Sequence, residues 1–131
     1  MGAWVPQAGH TLLMPSGSEG QHLFVVLNDP VDIPSYPPSV CVLVCICSVP
    51  TNSLHYDDAC VLNVGSHPFV AHASYVAYKH TRIESSNALI ALVSKGIFTP
   101  HAPCSDPPFS DIKAGLNSSI FAKRAFKNLP I

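Results

Sequence analysis

Thirteen prolines and seven glycines in 131 positions cut this chain into short segments, and short segments suit a small β-rich domain better than a bundle of long helices. A chain of this length is one domain's worth and can bury roughly two-thirds of the surface its unfolded form exposes. Apolar residues are 47% of the chain and charged residues only 11%, which disfavours both disorder and coiled coil. The expectation is one domain over residues 1–131, with strands at about 9–83 and a helical tail at 84–131.

The strands can be read from apolar spacing. Residues 10–15 (HTLLMP) and 22–27 (HLFVVL) form a pair of antiparallel candidates joined by the small, glycine-containing stretch 16–21 (SGSEGQ). A turn-rich segment with Pro30, Pro34, Pro37 and Pro38 leads into 40–48 (VCVLVCICS), apolar on both alternating faces and therefore the central buried strand. Residues 60–64 and 74–81 (SYVAYKHT) give two further strands, the latter with Tyr75, Ala77 and Lys79 on one face and Val76, Tyr78 and His80 on the other.

Beyond Glu84 the period changes from 2 to 3.6. Ser85 or Ser86 can cap a helix carrying Ala88, Leu89, Leu92 and Val93, stopped at Gly96. Asp106 before Pro107 opens a second helix through Phe109, Ile112 and Leu116, and Ser118 or Ser119 a third with Ile120, Phe121, Arg124 and Phe126. The fold class expected is mainly β (α+β): a small antiparallel barrel or curled sheet of about five strands, with helices covering one side.

Charge divides along the chain. Residues 1–78 contain no Lys or Arg and sum to −5, while residues 79–131 hold all seven basic side chains and sum to +4. Such a division fits either an anionic partner or a solvated helical surface. The longest apolar run, residues 40–47, is too short to span a bilayer, and residues 1–7 lack a basic targeting region. A soluble cytoplasmic protein with no membrane partner is expected. Gly2 does not make a myristoylation signal, because Pro6 stands where Ser or Thr is required. Five cysteines, three of them inside one apolar run, read as reduced, inert packing rather than a disulfide framework.

The order of parts, from a glycine and polar pair through HLFVVL, a buried strand ending CICSVPT, SYVAYKHTRIE and a helical tail, resembles the PemK and MazF group of toxin endoribonucleases. The resemblance covers most of residues 9–126. It implies a twisted SH3-like barrel, metal-independent cleavage of single-stranded RNA, a homodimer, and an antitoxin-like protein partner. It implies no cofactor. Carried across by residue, the first loop offers Glu19 and His22, the third strand ends in Cys47-Ser48, and the family's Arg and Asp positions fall on Tyr78 and His80, with Ser74 at the start of that strand. The expected site is thus His22, Tyr78 and His80 as catalytic groups and Ser48, Ser74 and Arg82 as substrate-binding groups. The family's arginine is missing, and a phosphorane transition state needs a cation. A noncatalytic SH3-like interaction module is the alternative.

Other constellations weigh less. His55, Asp57 and a distant His101 could form a two-histidine, one-carboxylate iron site, but neither a CxxC pair nor an HExxH run supports a metal. Cys104 lies in a proline-flanked loop that reads as exposed, within reach of a pairing with His101. Gly17 and Gly20 lack the lysine of a phosphate loop. Lys123, Arg124 and Lys127 around Phe126 suit either nucleic-acid contact or plain solvation.

Overall fold

The computed structural model describes residues 3–15, 20–52 and 55–131. Gly2, Gly17 and Glu19 lie outside the described residues, so the readings placed on them have no structural account. The described chain runs β1 (Thr11–Pro15), β2 (Gln21–Val26), β3 (Val40–Ser48), β4 (Val61–Leu62), β5 (Ser74–Ser85), α1 (Ser86–Ser94), β6 (Thr99–His101), α2 (Pro108–Ser118) and a 3-10 turn at Arg124–Phe126. The strands form one antiparallel sheet in the order β4-β5-β3-β2-β1-β6, curled into a half-barrel.

β3 is apolar on both faces because both are covered. Val40, Val42, Val44 and Ile46 join Leu23, Val25 and Val76 beneath Ile112 and Leu116 of α2. Cys41, Leu43 and Cys45 join Leu12, Met14, Phe24 and Phe98 beneath Leu89 of α1. The two helices therefore lie on opposite faces of the sheet, not on one side of it as expected. Cys104 also departs from expectation. It is buried, its N–H donating to Gly9 O at 2.7 Å.

Local chemistry accounts for most boundaries. Ser85 Oγ accepts from Ala88 N–H and caps α1. At the other end Gly96 takes φ +75°, letting its N–H reach Val93 O and that of Ile97 reach Leu92 O, a Schellman ending. α2 begins one residue later than the sequence predicts, so Pro107 and not Asp106 is its N-cap, and the Asp106 carboxylate accepts from Ser110 N–H and Oγ from one residue before the cap. The third predicted helix is reduced to the 3-10 turn, with Ile120 88% exposed. Here Ser119 Oγ donates to the buried Asp57 carboxylate at 2.6 Å and accepts from Phe121 and Ala122 N–H, which turns the chain aside.

β5 extends four residues beyond its predicted end and carries an irregularity. Cys45 pairs with Ala77 but Leu43 pairs with Arg82, so the four residues 78–81 lie opposite the single residue Val44. Strand alternation does not survive such an insertion. Tyr78 points into the core beneath α2, whereas His80 is exposed.

Candidate functional site

An open cavity of about 310 Å³ sits at one end of the sheet, where β2 begins, β3 ends and β5 begins. Gln21 and His22 come from β2, Cys47 and Ser48 from β3, Ser74 from β5, and residues 69–72 from the preceding loop. The antiparallel register sets this grouping. Ser48 pairs with Ser74, and His22 follows the Leu23–Ile46 pair toward Cys47. The loop is held by His67, whose Nδ1 accepts from Phe69 N–H and whose Nε2 meets Ala102 O at 2.5 Å. Ser74 Oγ donates to His72 O at 2.9 Å and fixes the last turn before β5.

Three of the expected site residues, His22, Ser48 and Ser74, thus line one cavity, and the other three do not. Tyr78 is 0% exposed, and its hydroxyl donates to Ile112 O of α2 at 2.6 Å. Burial, with Cys60 and Asp57 nearby, pushes its phenol far above the ordinary range. It has no route to a substrate. The expected Tyr78 and His80 face is broken by the irregularity in β5. His80 stands outside the cavity wall, its imidazole held below the ordinary value by partial burial and then by the charges of Lys79 and His22.

Arg82 is already engaged. Its Nη2 and Nε donate to Glu84 Oε2 at 2.6 and 2.9 Å, and its guanidinium lies 5.8 Å from the Phe24 ring and 5.9 Å from Phe98. It is therefore not aimed at the cavity. Among the described residues no Lys or Arg side chain lines this cavity.

His72 and Cys47 line the cavity but were not among the six site residues expected from sequence. His72 lies in an irregular loop with no pattern to mark it. Cys47 was read as packing, but it is only half-buried, and its Sγ lies 3.8 Å from that of Cys45. The available signal was its place at the polar end of the apolar run, beside Ser48. His22 Nδ1 is shielded from solvent with no hydrogen-bond partner among the described residues, a state that costs about 1–3 kcal/mol unless a ligand satisfies it.

The loop around His55 and Asp57 forms a smaller recess with Tyr75 and Lys79. Asp57 is committed to Ser119 and to Ala59 N–H, while His101 lies against His67 and Phe69. Among the described residues no three His, Cys, Asp or Glu side chains converge as a metal-ligand set, and none of their helices is long and apolar enough to cross a membrane. No protein-family model matches the chain, and no curated protein matches it.

Proposed function

We propose that this protein binds single-stranded RNA in the cavity at the end of its sheet and cleaves it without a metal, as a PemK- or MazF-like endoribonuclease would. The reading is carried by one observation: His22, Ser48 and Ser74 line a single open cavity together with a second histidine, His72. Histidine is the side chain best suited to move a proton in either direction near neutral pH. One neutral imidazole takes the proton of a ribose 2′-hydroxyl as it attacks the adjacent phosphorus. The other, protonated, gives a proton to the departing 5′-oxygen. His72 replaces Tyr78 and His80 in the acid/base pair, Ser48 holds the backbone, and Ser74, its hydroxyl given to His72 O, positions the His72 turn.

The test is cleavage of a mixed-sequence single-stranded RNA in EDTA. His22→Ala and His72→Ala should each lower the rate by about 10²-fold or more, while His80→Ala should stay within about tenfold of the parent. Undiminished cleavage by His22→Ala would overturn the assignment. The homodimer and the antitoxin-like partner belong to the same proposal and are checked by sedimentation and co-purification.

A second reading is favoured by the charge pattern. With Arg82 bound to Glu84 and no Lys or Arg among the described residues of the cavity wall, a transition-state anion lacks its usual stabiliser. This reading is a noncatalytic interaction module on the same scaffold. RNA left intact under all conditions, with harmless overexpression, would select it.

A further inference from the structure

β3 ends in two thiols on one face of the sheet, the Sγ atoms of Cys45 and Cys47 3.8 Å apart. Both belong to the apolar cluster under α1, Cys45 inside it at 1% exposed and Cys47 half-buried at its edge, where it also lines the cavity. The other three cysteines are buried. On β5, Tyr75 is the cross-strand partner of Cys47, with Lys79 on the same strand; on β2, His22 shares the cavity. We propose that Cys47 is a modification site, a thiolate that reacts with hydroperoxides and soft electrophiles entering the cavity while the Cys45 S–H supports it as a hydrogen-bond donor.

The electrostatics agree with the geometry. Donation from Cys45, opposed by burial and helped by the Lys79 charge and the Tyr75 hydroxyl, pulls the Cys47 thiol down to about 7. The same hydrogen bond and burial push Cys45 far up, with Arg82 acting weakly in the other direction. Burial holds Cys41 and Cys60 at about 11. Reactive cysteines are partly open to solvent and feel a nearby cation, here the single charge of Lys79 from outside the cavity lining. The Lys79 and Arg82 charges also argue against a cation held between the two thiols.

With a hydroperoxide the Cys47 thiolate attacks one peroxide oxygen. An S–O bond forms as the O–O bond breaks, the sulfur gives up two electrons, and the departing alkoxide or hydroxide takes a proton from solvent. The product is a sulfenic acid. It does not pass on to a disulfide with Cys45. Two residues apart on an extended strand, the Cα atoms lie about 6.6–6.8 Å apart with their Cβ vectors parallel, at the outer limit for an S–S bond.

The test uses the intact reduced protein. Treated with a limiting amount of iodoacetamide at pH 7 and digested at Asp and Glu, because residues 1–78 contain no tryptic site, it should carry label at Cys47 at least about tenfold ahead of any other cysteine. With hydrogen peroxide and dimedone the adduct should sit on Cys47. Cys45→Ala, and Lys79→Gln on the exposed surface, should each slow alkylation about threefold or more and move its half-maximal pH upward. Label spread evenly over the five cysteines, or Cys47 left unlabelled, would overturn the proposal. So would an unchanged rate in both variants, or a Cys45–Cys47 peptide two hydrogens lighter after peroxide.

Discussion

Gly115 in α2 pits helix propensity against packing. Replacing a glycine inside a helix by alanine ordinarily stabilises it by about 1 kcal/mol. Here the new Cβ would overlap the Tyr78 hydroxyl and come within 2.7 Å of Cζ and 3.0 Å of Cε2 on the same ring. Tyr78 cannot swing aside, because it is fully buried and its hydroxyl is bonded to Ile112 O one turn earlier on the same helix. Overpacking of a filled core costs about 1–3 kcal/mol, and dislodging the hydroxyl forfeits about 1 kcal/mol more. Packing therefore outweighs propensity, and Gly115→Ala should destabilise by about 2 kcal/mol, a fall in thermal midpoint of about 5–10 °C for a chain of this size. Urea unfolding should give a lower midpoint at unchanged slope. Tyr78→Phe removes the worst overlap, so the penalty of Gly115→Ala should shrink in that background. A single variant as stable as the parent or more so would refute the claim that α2 is seated on this ring.

Asn28 stands in for a missing stretch of sheet, its Oδ1 accepting from Val42 N–H at 2.8 Å and its Nδ2 donating to Val40 O at 3.2 Å. Asn28→Ala should cost about 2–3 kcal/mol by denaturant titration, since both backbone groups are buried. Ser119→Ala strips the buried Asp57 carboxylate of its shortest donor and should cost about 2–3 kcal/mol by the same measurement. Ser85→Ala removes the α1 cap and should cost about 1 kcal/mol. His80 is depressed by burial first and then by Lys79 and His22, so the folded protein binds fewer protons than the unfolded chain. Its contribution to stability is present above the ordinary histidine range and is lost as pH falls below about 6.5. A proton NMR titration should place its midpoint below that of a free histidine, and Lys79→Gln should raise it.

Much of the scaffold was legible along the chain because its signals are local. The two-sided apolar run in β3 requires cover on both faces, Ser85 caps α1, and Gly96 ends it through a backbone angle other residues avoid. The site was legible only in part. His22, Ser48 and Ser74 converge because strand ends meet where register places them, and each lay within a strand read correctly. Tyr78 and His80 were assigned to one face by alternation, and four residues set against one partner undid that inference.

By itself the sequence determined that this chain folds as a charge-poor, strand-rich domain with a sheet buried at its centre, since composition, proline spacing and period act over a few residues at a time. Only the tertiary structure decided that the helices cover opposite faces, that Tyr78 is a core residue under Gly115, that Arg82 is bound by Glu84, and that one of five cysteines opens into a cavity with two histidines. Those outcomes depend on contacts between residues far apart in the chain, and on a pairing irregularity that no local pattern encodes.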